Sequence, residues 1–389
     1  MHEANPTGCN VCGSEKTKTI FRSQGNQSLT SLCQLRPGKV AVSYCFGCGH
    51  IQSNVLEDVH QFYESDYTIL INHEDEDQVY ETNGDQIIYR TDHQLRVLQQ
   101  TLPLEAGMRI LDYGCAKADM TRKIKQLRDD VSLHMFDVSS MYLPFWEKIT
   151  DNDHWAIHET PENWIGHFDL VMSYFAFEHI PDPLKSAAHV ASLLREGGIF
   201  YAIVPDCFGN IADFVVSDHV NHFTDISLIH LFEKTGFAEI EIDSSSHRGA
   251  HVVKAVRRCG PAEIQQPETE KIRAYAAKAD EIAAFWGGIG ETITYNEAHA
   301  ETPAAIYGSG FYGAFIYSNL AHPEKITHFL DKNPFQQGQT LFGVPIVAPS
   351  ALLPQTQTLY IGLNPTIARK AIDGMPELTE GGRELVFLT

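Results

Sequence analysis

The chain has 389 residues, 43% of them apolar and 20% charged, with a formal net charge of −21. That length holds two or three domains with a sizeable core, and no apolar run approaches the roughly 18–20 residues that span a membrane. So acidic a surface repels phosphate backbones and argues against nucleic acid as a partner, although a local cation or helix N-terminus can still receive a small anion. Met1-His2-Glu3-Ala4-Asn5 has neither the basic nor the apolar stretch of a signal peptide. The expectation is a cytoplasmic protein that does not enter a membrane.

Residues 1–75 carry two C-x-x-C pairs, Cys9-Asn10-Val11-Cys12 and Cys45-Phe46-Gly47-Cys48. Two thiolates spaced by two residues reach one tetrahedral ion, and two such pairs close the coordination sphere of Zn²⁺ with no position left for catalysis. Cys9, Cys12, Cys45 and Cys48 are therefore read as ligands of a structural zinc. Unligated thiols and a redox dithiol pair are the other readings. Gly47 and Gly49 suit the turn that presents the thiolates. A short segment with few apolar residues needs such a staple to fold. Cys33 lies between the pairs without a spaced mate; with Cys115, Cys207 and Cys259 it is read as one of the scattered thiols of a reducing compartment.

From 76 to 258 apolar runs alternate with amphipathic stretches, the pattern of a parallel sheet covered by helices. Strands are expected at Arg109–Asp112, Ser132–Phe136, Leu170–Ser173 and Ile199–Val204. Helices are expected at Met120–Leu127 and Leu184–Leu194, the second ended by Gly197-Gly198. Cys259-Gly260-Pro261 and Gln265-Gln266-Pro267 read as a linker. Residues 259–389 then open with a helix near Glu268–Phe285 and repeat the alternation, with strands at Ala304–Tyr307, Ile326–Leu330 and Thr358–Ile361.

The run Arg109-Ile110-Leu111-Asp112-Tyr113-Gly114-Cys115-Ala116-Lys117-Ala118 reads as a strand entering a tight loop that opens a helix. Backbone N–H groups and the helix N-terminus can approach a ligand there. The next strand ends at Phe136-Asp137-Val138-Ser139, where a carboxylate can accept both hydroxyls of a ribose. An acid at Asp112 suits S-adenosylmethionine (SAM), a sulfonium without phosphate, better than a dinucleotide. Further on come Tyr174-Phe175-Ala176-Phe177-Glu178-His179-Ile180-Pro181-Asp182-Pro183 and Leu194-Arg195-Glu196-Gly197-Gly198. Asp169 is read as a turn cap. Near the C-terminus, Gly308-Ser309-Gly310-Phe311-Tyr312-Gly313 is a G-x-G-x-x-G after a strand, and Asp331 ends the strand that follows. That loop is read as structural or nucleotide-holding, with a nicotinamide oxidoreductase as the competing class.

The ordered set in the middle of the chain resembles the class I SAM methyltransferases: LDYGC as the first motif, FDVS as the ribose-binding strand end, FEHIPDP as the loop after the fourth strand and REGG as the turn before the fifth. The resemblance implies that Asp112 and Gly114 border the methionine part of SAM and Asp137 the ribose, with Ala116, Val138, Tyr174 and Phe175 also at the cofactor. Where the family loop has two further glycines, this chain has Ala116 and Ala118, and alanine tolerates positive φ poorly.

Nearly the whole chain resembles a narrower family, the sugar-nucleotide C-methyltransferases. The aromatic stretch Gln61-Phe62-Tyr63-Glu64-Ser65-Asp66-Tyr67, the loop at His179, Asp218-His219-Val220-Asn221-His222-Phe223-Thr224, His247-Arg248-Gly249-Ala250 and Asp331-Lys332-Asn333-Pro334 carry that resemblance. It implies an α/β protein of three parts: a small N-terminal zinc-binding domain (1–75), a central class I SAM methyltransferase domain of Rossmann-like fold (76–258) and a C-terminal Rossmann-like α/β domain (259–389).

The implied reaction is C-methylation of a keto sugar nucleotide. His219, beside the acid Asp218, would act as the base that forms an enolate, and the enolate carbon would attack the SAM methyl. His179, His222 and His247 are the further catalytic candidates, with a hydrogen bond that orients a loop as the plainer role for each. Tyr67 and Tyr142 are candidates for the sugar pocket. The family tyrosine before the histidine element falls at Val216, and the one inside it at His222. O-methylation of a sugar hydroxyl therefore stands as an alternative, and Ala116 and Ala118 in the cofactor loop leave a non-catalytic SAM- or nucleotide-binding scaffold as another.

Overall fold

Short, half-apolar runs make the first part of the chain a set of antiparallel ribbons. In the computed structural model, which describes residues 8–55, 58, 61–67, 69, 73–83, 86–258, 260, 264–379 and 382–388, these are β1 (Thr17–Arg22), β2 (Gln27–Leu29), β3 (Leu35–Pro37), β4 (Ala41–Cys45) and β5 (Ile51–Ser53). Met1–Asn5 and two residues of the expected linker, Cys259 and Pro261, lie outside the described residues. β2 and β3 form a hairpin, while β1, β4 and β5 form a sheet whose far edge is closed by Asn221–His222 from much later in the chain. A single π-helical turn, Phe62–Asp66, follows. The hairpin of β6 (Val79–Asn83) and β7 (Gln86–Tyr89) then runs into α1 (Arg90–Thr101).

The alternation that follows builds a seven-stranded sheet. Its elements are β8 (Arg109–Tyr113), α2 (Asp119–Leu127), β9 (Ser132–Asp137), α3 (Leu143–Trp146), β10 (Trp155–Ile157), β11 (Phe168–Tyr174), α4 (Pro183–Leu193), β12 (Leu194–Pro205), β13 (Asn221–His222), α5 (Asp225–Lys234), β14 (Phe237–Asp243) and β15 (Ala250–Arg257). The order is β10-β9-β8-β11-β12-β15-β14, with β13 in the N-terminal sheet. The first five strands run parallel, and β15 is antiparallel to both of its neighbours. The strand order reverses between β8 and β11, and ligands of open α/β sheets bind at the carboxyl ends of strands at such a switch.

Gly197-Gly198 do not end the preceding helix. Leu194 is already extended and pairs with Phe168, and the register then slips so that Leu170 faces Ile199. The extra residues loop out inside β12, where Gly197 adopts φ +71° and a Cβ on Gly198 would lie 3.0 Å from the Phe168 carbonyl oxygen. The pair serves a bulge, where glycine's tolerance of left-handed backbone is used.

The third part comprises α6 (Thr269–His299), β16 (Ala304–Tyr307), α7 (Phe311–Asn319), β17 (Ile326–Leu330), β18 (Thr340–Leu341), β19 (Val344–Val347), β20 (Thr358–Ile361), α8 (Pro365–Asp373), α9 (Pro376–Thr379) and β21 (Glu384–Phe387). They give a six-stranded sheet in the order β18-β19-β17-β16-β20-β21. α6 runs well past Phe285 because Trp286, Ile289 and Ile293 continue its buried face. It packs across the N-terminal sheet, with the Tyr44 hydroxyl donating to the Ile272 carbonyl at 2.5 Å and Trp286 Nε1 donating to the Ile211 carbonyl at 2.8 Å. The cores are shared as well. Cys9, Val11, Cys45 and Cys48 pack with Phe223, Leu228 and Leu231, while Val42, Tyr44 and Ile51 pack with Phe214, Ile226 and Trp286.

Candidate active site

The cofactor loop leaves β8 at Gly114, which has φ +73° and whose Cβ, were there one, would stand 2.7 Å from the Ala176 methyl. Ala116 and Ala118 take left-handed backbone as well, at φ +45° and +60°. The loop therefore has the glycine-type shape despite its alanines, at a cost of roughly 1–2 kcal/mol per residue. Asp137, ending β9, accepts from the backbone N–H of Ala116 at 2.8 Å and of Ser139 at 3.0 Å, and burial raises its pKa. Asp112 is buried, takes a hydrogen bond from the Thr121 hydroxyl at 2.8 Å, and is pushed by burial up to about 7. Val138 is half-exposed beside Asp137, Tyr174 ends β11, and Phe175 lies under the Arg90 guanidinium. Two carboxyls at neighbouring strand ends and a backbone with no side chain at Gly114 fit SAM: an acceptor for its ammonium, one for its ribose hydroxyls, and room for close approach.

A second group lies where the loops after β11 and β12 meet the aromatic turn. The Tyr63 hydroxyl is 2.8 Å from His179 Nδ1 and donates to the Asp218 carbonyl at 3.0 Å, with His179 Nδ1 itself 3.1 Å from that carbonyl. The His179 and His219 rings meet edge to face, 4.7 Å between centroids. The acid paired with His219 is not its neighbour Asp218 but Asp213, whose Oδ1 is 2.5 Å from His219 Nδ1. The other oxygen of Asp213 takes His222 Nδ1 at 2.8 Å, and His222 Nε2 meets the Ser53 hydroxyl at 2.7 Å. Asp218 instead accepts both the backbone N–H and the hydroxyl of Ser31 at 2.7 Å.

Electrostatics separates these groups. Burial works against a charged His219, but the carboxyls of Asp213, Asp218 and Glu178 outweigh it and raise its pKa to about 9. Burial, together with the His219 charge, pushes His179 down to about 4. Burial likewise lifts the Glu178 carboxyl to about 8, and its Oε2 has no hydrogen-bond partner among the described residues. Asp213 is held well below the usual carboxylate range, burial being overcome by His222 and His219.

Of the histidines expected from sequence, His179, His219 and His222 come together here. His247 joins a different group, against Phe175, Tyr80 and His93. Tyr142 donates to the Tyr67 carbonyl, and Tyr67 stacks edge-on to His179. Val216 is buried, and the phenol near the histidines comes from Tyr63. Tyr63, Asp213, Glu178, Ser31 and Ser53 join the group beyond the sequence candidates: Tyr63 and Glu178 lie in stretches that the sequence marks, while Asp213 carries no local signal.

The four paired cysteines gather as expected, with Cys9 Sγ 3.6 Å from Cys48 Sγ and Cys12 Sγ 3.5 Å from Cys45 Sγ. Zinc–sulfur bonds of about 2.3 Å place tetrahedral sulfurs about 3.8 Å apart, so the set fits the ion with little movement. Backbone N–H groups of Ser14 and Gly47 point at Cys12 and Cys45 sulfurs. Cys33 is not in this group. In the C-terminal loop, Asp331 Oδ2 is engaged by the Ser309 N–H and hydroxyl at 2.9 and 2.6 Å. Asp169 binds the Arg109 N–H and both Arg109 and Arg195 guanidinium groups.

Residues 88–242 match a family model described as a methyltransferase domain. Among curated proteins the chain is 28% identical over 241 residues to the C-methyltransferase NovU of Streptomyces niveus, covering 56% of each chain. It is 29% identical over 105 residues to a ubiquinone biosynthesis O-methyltransferase of Aromatoleum aromaticum, covering 25% of this chain and 45% of that one. The chain thus spans about half the length of the curated relatives it matches. A SAM-dependent methyltransferase from Mesorhizobium loti is similar at 17% identity and TM-score 0.35, over 42% of this chain and 98% of that one. Haemonchus contortus phosphoethanolamine N-methyltransferase 2 is similar at 16% identity and TM-score 0.36, over 43% and 53%. The middle of this chain, residues 88–242, is thus a methyltransferase domain by its family match. Among the described residues no helix is long and apolar enough to cross a membrane.

Proposed function

We propose that the protein is a cytoplasmic SAM-dependent C-methyltransferase acting on a nucleotide-linked keto sugar. The observation that carries this reading is the pair of anchored imidazoles, His179 on Tyr63 and the Asp218 carbonyl, and His219 on Asp213, in ring contact with each other. On a sugar, a carbon nucleophile forms by removal of a C–H proton, which a positioned base achieves most readily next to a carbonyl. With its Nδ1–H on the Asp218 carbonyl, His179 keeps Nε2 as the proton acceptor. His219, backed by the Asp213 carboxylate, is the donor that stabilises negative charge on the keto oxygen. In this proposal His179 takes the base role that the sequence suggests for His219.

Asp112, Gly114 and Ala116 would hold the methionine end of the cofactor, and Asp137 with Val138 the ribose, while Tyr174 and Phe175 wall the site. Bound there, SAM supplies an electrophilic methyl on a sulfonium. Cys9, Cys12, Cys45 and Cys48 would hold a structural zinc. The name of the relative NovU, a C-methyltransferase, supports carbon as the acceptor.

Incubation with methyl-labelled SAM and a panel of nucleotide-linked 4-keto sugars tests the reading. Label is expected in the sugar, with a C-methyl carbon-13 signal and solvent deuterium entering the substrate without SAM. Absence of transfer to every member refutes it, and a methoxy signal replaces it with O-methylation.

A further inference from the structure

We infer that Glu178, His179 and His219 form a second metal site, for a divalent first-row transition ion. One ligand atom from each lies within 4.8 Å of the other two. Two imidazoles and one carboxylate are a donor set that such ions favour over Mg²⁺ or Ca²⁺. Glu178 is 1% exposed, yet Oε2 has no hydrogen-bond partner among the described residues. A buried acceptor left bare costs about 1–3 kcal/mol, a cost that a cation removes.

The histidines are already set as ligands. A metal-bound imidazole gives its other N–H to a carboxylate or a backbone carbonyl. Here His219 Nδ1 rests on Asp213 and His179 Nδ1 on the Asp218 carbonyl. Each ring is thereby fixed, and Nε2 is the nitrogen left over. Bonds of about 2.0–2.2 Å require tetrahedral ligand atoms roughly 3.3–3.6 Å apart, so a modest inward movement, most easily of the Glu178 side chain, completes the site. The ion occupies the same nitrogens that would move protons, and bound ion and turnover exclude each other. Metal binding itself does not depend on which acceptor the enzyme methylates.

The test uses the full chain loaded with zinc at its cysteines, titrated with Co²⁺. One further equivalent should bind, with visible ligand-field bands and no thiolate charge-transfer band, and X-ray absorption at the cobalt edge should show nitrogen and oxygen neighbours without sulfur. Glu178→Gln and His219→Gln should each weaken Co²⁺ binding at least tenfold, and His134→Gln should not. The inference is overturned if no Co²⁺ binds beyond the cysteine site, if sulfur appears at the cobalt edge, or if both ligand variants bind as the wild type does. Should the variants fail to fold, the cobalt-edge spectrum of the unaltered protein still decides. The inference and the methyltransfer reading fail separately, because one is read from cobalt spectra and the other from labelled sugar.

Discussion

Asp112→Asn should make the protein more stable while weakening its cofactor site. Asp112 is buried near the end of β8 and takes a hydrogen bond from the Thr121 hydroxyl at 2.8 Å. Burial, aided by Asp137, moves its carboxyl from 3.8 to about 7. The folded value lies above the unfolded one, so the stability this group contributes is full below its unfolded pKa and lost as pH rises through its folded pKa. That shift is worth roughly 4 kcal/mol. Asparagine keeps an oxygen for Thr121 and carries no charge to desolvate. Denaturant unfolding should therefore show the variant gaining on the wild type by roughly 3–4 kcal/mol between about pH 4 and about pH 8. Titration calorimetry with S-adenosylhomocysteine should show at least tenfold weaker binding, about 1.4 kcal/mol. A stability difference that does not change with pH would refute the reasoning, because a buried ionisable carboxyl is its only source.

In the same loop, Gly114→Ala must accept left-handed backbone and a methyl 2.7 Å from Ala176, and should lose roughly 2–4 kcal/mol of stability in thermal melts. Ala118→Gly removes strain of the first kind and should leave stability in thermal melts unchanged or raise it by up to about 1 kcal/mol. Tyr63→Phe keeps the ring packing and removes only the hydroxyl at His179, so solvent-deuterium exchange into a keto-sugar substrate should slow by about tenfold to hundredfold with the fold intact by circular dichroism. Asp213→Asn leaves two buried imidazoles sharing a neutral amide and should cost roughly 2–4 kcal/mol in urea unfolding. With zinc held at the cysteines as proposed, Cys48→Ser should carry one equivalent of zinc less than the wild type by plasma emission.

Local pattern explains what could be read in advance. β16, β17 and β20 are apolar runs bounded by turn residues and begin and end where the pattern changes. The cofactor loop was legible because glycine and acid at fixed offsets from a strand have few other uses. Gly197-Gly198 misled because a glycine pair serves a bulge as well as a helix stop. α6 outran its expected end because the buried stripe through Ile293 outweighs the glycines at 287, 288 and 290. The histidine group could be read only in part. Its hydrogen bonds join residues 31, 53, 63, 179, 213 and 218–222, and no local periodicity couples positions so far apart. Asp218 looked like the partner of His219 because it is adjacent, but neighbouring side chains leave the backbone in different directions and Asp213 returns through a turn to meet the ring.

The cysteine cluster is connected to the histidine group by hydrogen bonds. Asn10, inside the first C-x-x-C, donates to Asn221 Oδ1 at 2.7 Å, and Asn221 donates in turn to the carbonyls of Phe177 and Ile180 on either side of Glu178 and His179. Asn221 and His222 also form the edge strand that pairs with β5, and Ser53 on β5 holds His222. The knuckle is thus joined by backbone and side chain to both loops that carry the imidazoles. A rigid shell of this type is what fixes a base to within a fraction of an ångström. The N-terminal segment is therefore a wall of the site: removing it would expose Asn221, free Asp218 from Ser31, and take Ser53 from His222 and Tyr63 from His179.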